Sequence, residues 1–170
     1  MRDPADLDET PSLENHSPSM DRSPKQLQRR VEQMIERCRE AGMNVTPQRI
    51  AIYRALLASE DHPTPEMLYN TVTQEMPSLS LATIYKTLDA LTAVGLVRSV
   101  AVESDKRRYD ANDEAHHHLV CSECGCIRDF YSDEFDALIP QKRVLGFIPQ
   151  AISVNITGIC ADCRHKRKEA

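Results

Sequence analysis

Two cysteine pairs, Cys121-Ser-Glu-Cys124 and Cys160-Ala-Asp-Cys163, stand with 35 residues between them. Pairs at this spacing can close a tetrahedral four-thiolate zinc site, which obliges the chain between them to return to one point. Just upstream lies a cluster that such a site does not explain, His116-His117-His118, flanked by Asp110 and Asp129. Four sulfurs describe a locked, structural metal. A set of His and Asp beside them describes a second, exchangeable one. A chain with both is equipped as a sensor or as an enzyme, and its first half must decide which.

The chain has 170 residues, 5% aromatics and no Trp. Two modest cores are easier to build from it than one large core. No apolar run reaches the length of a membrane span. Met1-Arg2-Asp3-Pro4 has no apolar signal core, so a cytoplasmic protein is expected. With that location the paired cysteines read as thiolate ligands in a reducing compartment rather than as disulfides. The net charge of −5 argues against nucleic-acid binding only until it is divided along the chain. Residues 1–24 hold six acids against two bases, and with Pro4, Pro11, Pro18 and Pro24 and several serines they read as a disordered acidic tail. Residues 25–110 are close to neutral and residues 111–170 mildly acidic.

The middle segment carries helical periodicity. Leu27, Val31, Met34, Ile35 and Cys38 recur at three- and four-residue spacing, with Gly42 as a stop. Cys38 sits on that stripe and reads as a buried structural thiol. Thr46-Pro47 and Thr64-Pro65 are helix starts, a hydroxyl cap followed by proline in the first turn. Ile50, Tyr53, Leu56 and Leu57 are expected to form the inner side of the first, and Leu68 and Val72 that of the second. Ser80 caps a fourth helix over 81–94, with Ile84, Leu88 and Leu91 inward and Gly95 at its end. Two strands, 96–102 and 106–110, follow around the turn Glu103-Ser104-Asp105.

Helices followed by a β-hairpin form the layout of a winged helix-turn-helix, whose last helix before the wing enters the major groove. Ser80, Thr83, Tyr85, Lys86 and Thr87 would then meet phosphates or base edges. Arg49 would reach a phosphate or the minor groove, and Lys106, Arg107 and Arg108 would give the wing a basic edge. The fold class expected is α+β: a winged-helix DNA-binding domain over 25–110, then a small α/β domain over 111–170. In the latter, strands are expected near 119–120, 127–131 and 151–159, with a helix over 134–143, and each Cys-x-x-Cys at a strand end. So small a core with open β edges points to dimerisation, and a symmetric dimer matches a palindromic DNA site.

In chain order, Val45-Thr46-Pro47-Gln48-Arg49, His62-Pro63-Thr64, Ser80-Leu81-Ala82-Thr83-Ile84-Tyr85, His116-His117-His118-Leu119-Val120-Cys121 and both cysteine pairs resemble the ferric uptake regulator family. The resemblance implies a homodimeric repressor of operator DNA with one structural Zn²⁺ per subunit at Cys121, Cys124, Cys160 and Cys163. It also implies one regulatory Fe²⁺ or Mn²⁺ per subunit at His62, Asp110, His116, His118 and Asp129. Aspartate at both acidic positions, together with the Thr-Pro-Gln-Arg stretch, is similar to the peroxide-sensing PerR branch; iron-sensing members typically carry glutamate there. In that branch, iron-catalysed oxidation of ligand histidines, at positions matching His62 and His116, releases DNA. Ala115 and Ile152 stand where some members carry further ligands, so a complete third site is not expected.

His117, between two ligands of an extended segment, should face the other way. Cys126 either joins the thiolate set or points away from it as a strand residue, and the second reading is adopted. Within the family the alternatives are an iron-uptake repressor using Fe²⁺ as corepressor and, behind it, a zinc-uptake regulator. From other classes, a hydrolase would use the His/Asp site to activate water, but it has no evident general base or oxyanion donor here. A zinc-stapled interaction module would leave the DNA-binding half without a use.

Overall fold

The computed structural model describes residues 21–100 and 107–168. Four helices open it: α1 (Pro24–Glu40), α2 (Pro47–Ala58), α3 (Pro65–Val72) and α4 (Leu81–Ala93). Each begins where a hydroxyl side chain accepts a backbone N–H that the first turn leaves unpaired. Ser23 accepts from Gln26, Thr46 from Arg49, Thr64 from Met67 and Ser80 from Thr83. Pro24, Pro47 and Pro65 sit in first turns, where the missing N–H costs nothing. Pro24 thus belongs to α1 and not to the preceding tail, the rest of which, apart from residues 21–23, lies outside the described residues.

The apolar faces of these helices make one core. It takes Val31, Met34 and Cys38 from α1, Leu68 and Val72 from α3, and Ile84, Leu88 and Leu91 from α4. On α2 the buried set is Ile52, Tyr53, Leu56 and Leu57, while Ile50, expected inward, is only partly buried. Burial raises the Cys38 thiol above its ordinary value, as befits a packing residue. Strands β1 (Arg98–Val100) and β2 (Arg108–Asp110) pair antiparallel with Ser99 opposite Tyr109. Tyr109 and Ala111 close the core from this side. The turn expected between these strands, with Lys106, lies outside the described residues.

The second half is a three-stranded sheet in the order β4-β3-β5. Strand β3 (His117–Cys121) runs antiparallel to β4 (Ile127–Phe130) and parallel to β5 (Asn155–Gly158). The helix expected over 134–143 is a single turn, α5 (Asp133–Asp136). Pro140 cannot continue it, and Leu145 and Gly146 take left-handed φ values of 49° and 88° in a turn bridged by Val144 and Phe147. The strand expected over 151–159 is confined to β5. A terminal helix, α6 (Ala161–Lys168), was not foreseen, because Arg164-His165-Lys166-Arg167-Lys168 has no apolar stripe to announce it.

This half buries few large side chains, chiefly Ile127, Phe130 and Tyr131, and leaves Leu138, Leu145, Phe147 and Ile148 exposed. Stability of the monomer therefore rests on the helical core. Replacing Leu88, which is fully buried, with alanine should cost about 2–5 kcal/mol in urea-induced loss of helical circular dichroism. A change within about 0.5 kcal/mol would contradict this placement of the core.

Candidate metal centres

The first cluster draws ligands from both halves. His62 lies in the link between α2 and α3 with φ 46°, a left-handed conformation that a non-glycine residue rarely adopts. The link is held from outside: the Arg108 guanidinium donates to the carbonyls of Asp61 and His62, each at 3.3 Å, and Tyr109 N–H donates to Pro63 at 3.2 Å. Asp110 ends β2, His116 precedes β3, and His118 on β3 stands opposite Asp129 on β4, so both project to one face. His62, Asp110, His116 and His118 are all buried, with one donor atom of each lying within 4.8 Å of the others. Asp129 joins them, its Oδ1 3.0 Å from His62 Nε2 and 3.9 Å from His116 Nε2. His117 faces the other side, where its Nδ1 accepts the Val154 N–H and its ring packs on Phe130 and Phe135.

The donor atoms are prepared for a cation. His116 Nδ1 is 2.7 Å from the Glu114 carbonyl, which can only accept, so the proton sits on Nδ1 and Nε2 faces the cluster. Burial works to lower His116, but its bonds to Asp110 and to the Glu114 carbonyl, with the charges of Asp110 and Asp129, raise it overall. Burial and the neighbouring His116 and His62 push His118 down to about 4, leaving it neutral near pH 7. Burial opposes ionisation of Asp129, yet the close approach of the His62 ring and the Asn112 amide bond hold it down at about 2. Although only 3.0 Å apart, His62 Nε2 and Asp129 Oδ1 are both buried and out of hydrogen-bond alignment. Such groups fit a shared divalent ion, and a nitrogen–oxygen set without thiolate suits Fe²⁺ or Mn²⁺.

Asn112 was missed by sequence reasoning. It is buried, its amide donates to Asp129 Oδ2 at 2.9 Å and to Tyr131 Oη at 2.8 Å, and its N–H donates to Asp110 Oδ1 at 2.7 Å. One residue thus aims both carboxylates, from strands that belong to different sheets. Asp110-Ala111-Asn112 was a usable local signal, since aspartate commonly accepts an N–H two residues on. The long-range bond to Asp129 was not legible.

The second cluster collects sulfurs. Cys121 ends β3, Cys124 lies in the following turn, Cys160 follows β5 and Cys163 sits in the first turn of α6. The second pair therefore begins just after a strand end, as expected, but its second cysteine stands in a helix rather than in a knuckle. All five thiols of this half are free of disulfide. The N–H groups of Cys124 and Cys160 hold the Cys121 thiol down at about 6, and Cys124 is lowered by the Cys126 N–H. Convergent thiols, two of them held towards thiolate, are the donor chemistry of a zinc site. Cys126, expected to point away, lies among them.

The outward surface of α4 agrees with expectation in part. Lys86 and Tyr85 are exposed, with Tyr85 Oη donating to Glu66 at 2.7 Å. Ser80 and Thr83 share a hydroxyl contact of 2.9 Å at the helix start. Thr87, expected outward, is buried. The Arg49 guanidinium donates to the Asn44 carbonyl. Arg107 is exposed, whereas Arg108 turns inward and donates to the Gly125 carbonyl at 2.9 Å. Arg108 is a tie between the two halves, not part of the basic wing edge.

Removal of the carboxylate anchor is testable without touching a ligand. Asn112→Ala should weaken Mn²⁺ binding at the His/Asp cluster about 10- to 100-fold in calorimetric titration, with the zinc content unchanged. Unaltered Mn²⁺ affinity would show that Asn112 does not orient the carboxylates.

With this geometry in hand, comparison with known proteins is direct. Residues 40–157 match the model of the ferric uptake regulator family. The peroxide-responsive repressor PerR of Staphylococcus epidermidis is 33% identical over 137 residues, covering 80% of this chain and 91% of that protein. The Campylobacter jejuni peroxide stress regulator superposes with a TM-score of 0.59 at 31% identity, over 78% of this chain and 98% of that one. The Helicobacter pylori ferric uptake regulator Fur superposes with a TM-score of 0.64 over 81% of this chain and 93% of that one, a likeness of fold at 21% identity. The four-helix half with its hairpin, the sheet that follows and the family match over most of the length lead to one conclusion: the chain belongs to the ferric uptake regulator family.

Proposed function

We propose that this protein is a metal-dependent DNA-binding transcriptional repressor that senses hydrogen peroxide. The observation that carries the reading is the convergence of His62 from the helical half with Asp110, His116, His118 and Asp129 at one buried point. These five residues would hold the regulatory metal, and Cys121, Cys124, Cys160 and Cys163 a structural zinc. A divalent ion at the first cluster would offset the two buried carboxylates and, as Fe²⁺, would supply reducing equivalents to peroxide. His62 closes on the sheet only in the orientation where all five donors meet, so a filled cluster favours that orientation over open ones. Addition of oxygen to the imidazole of His62 or His116 weakens its donor nitrogen and unties the halves. The likeness to peroxide-responsive repressors at 31–33% identity supports this branch.

Operator DNA would be read by α4 through Ser80, Thr83, Tyr85 and Lys86, with Arg49, Lys106 and Arg107 on the phosphates. The exposed Leu138, Leu145, Phe147 and Ile148 suit a face covered by a second copy. A symmetric homodimer would fit a palindromic operator. No helix among the described residues is long and apolar enough to cross a membrane, in keeping with a cytoplasmic protein.

The sensing reading is tested by adding low-dose peroxide to Fe²⁺-loaded and Mn²⁺-loaded protein. Only the iron form should lose operator binding, and peptide mass spectrometry should find one added oxygen atom at His62 or His116. An iron form with unmodified histidines and full affinity would remove the peroxide reading and leave an iron-responsive repressor. The DNA surface has its own check. Lys86→Ala should lower operator affinity and reduce the slope of log affinity against log salt by about one unit, with metal content unchanged. An unchanged slope would place the DNA elsewhere.

A further inference from the structure

Five thiols surround a point at which zinc has four coordination positions. Donor atoms of Cys121, Cys124, Cys126 and Cys160 all lie within 4.8 Å of one another. Zn–S bonds of about 2.3 Å in a tetrahedron set the sulfurs about 3.8 Å apart, and Cys124 Sγ and Cys160 Sγ are separated by 3.7 Å. The Cys163 side chain also meets those of Cys160, Cys124 and Cys121. The set Cys121, Cys124, Cys126 and Cys160 has that mutual spacing, and Cys163, set beside three of the same thiols at the start of α6, offers a second choice of fourth ligand.

Local structure brings Cys126 into reach. Gly125 takes φ 69°, which turns the chain sharply after Cys124. The Gly125 N–H donates to the Cys121 carbonyl at 3.0 Å, and Cys121 N–H to the Cys126 carbonyl at 2.9 Å. This closed loop holds Cys121, Cys124 and Cys126 together whatever α6 does. Cys163, by contrast, arrives on a separate helix. Cys126 and Cys160 also line an open cleft with Leu119, Arg128 and Ile156, so solvent reaches this side of the cluster, whereas Cys163 is buried.

We propose that Cys126 and Cys163 are interchangeable fourth ligands of the structural zinc, so that the site carries one spare thiol and survives the loss of either. The inference rests on the zinc reading of this cluster. It gives the chain a tolerance that a four-cysteine site lacks, since capping one of the two by an oxidant or alkylating agent leaves a complete set.

The test uses the full chain and measures zinc per subunit by elemental analysis after dialysis against a chelator. Cys126→Ser and Cys163→Ser should each retain about one zinc per chain, and the double variant should lose it. Zinc lost from Cys163→Ser alone, or from Cys126→Ser alone, overturns the exchange by making one residue obligatory. Zinc retained by the double variant overturns it as well. Cys121→Ser, common to both sets, should lose zinc, and if it does not, the zinc reading itself fails and not merely the exchange. A second measurement needs no variant: brief iodoacetamide treatment of the zinc-loaded chain, followed by peptide mass spectrometry. Modification should fall on Cys126, which lines the open cleft, with zinc retained through Cys163, and release of zinc as Cys126 is modified overturns the proposal.

Discussion

Asp110 and Asp129 lie within a side-chain length of three imidazoles, and both halves of the molecule close on that point. Two carboxylates so placed repel one another and are poorly hydrated, so the cluster is unfavourable unless positive charge is supplied. Burial works to lower His116, yet its bond to Asp110 raises it overall, so the cluster favours positive charge there. A divalent ion meets that need better, because it delivers two charges at once and uses lone pairs that otherwise lack aligned partners. The hinge position of His62, the register of His118 with Asp129 and the anchoring by Asn112 all serve this one electrostatic requirement.

Much of the helical half is legible in sequence because its signals are local. Thr46-Pro47, Thr64-Pro65 and Ser80 mark the starts of three helices in the structure, and the inward positions of α4 follow from spacing alone. The second half is less legible because its elements are short and thinly packed. Periodicity needs length, and a four-residue α5 offers none. At the sites, residue type named the side chains that converge, but only tertiary structure assigns the supporting roles. Asn112 acts on groups 17 and 19 residues away. Cys126 breaks the pairing logic of Cys-x-x-Cys, yet the turn at Gly125 carries its sulfur to the cluster.

Thr87 and Arg108 show a different limit. A polar residue on a helix that could meet DNA, and a basic residue in a wing strand, both read as contacts for nucleic acid. Thr87 instead lies on the buried side of α4 with Ile84, Leu88 and Leu91. Arg108 directs its donors to backbone carbonyls, those of Asp61 and His62 in its own half and that of Gly125 in the other. Backbone carbonyls have no sequence signature, so an arginine directed at them is indistinguishable beforehand from one directed at phosphate.

That arginine has a thermodynamic consequence. Its Nη1 donates to the His62 link, and its Nη2 to the Gly125 carbonyl inside the thiol loop. An order imposed on either end is felt at the other. By reciprocity, whatever factor a filled thiol cluster adds to the affinity of the His/Asp cluster, a filled His/Asp cluster returns to the thiols. With metals held at both clusters as proposed, the response of the His/Asp cluster would be a joint property of the two, set by the occupancy of the thiols as well as by its own.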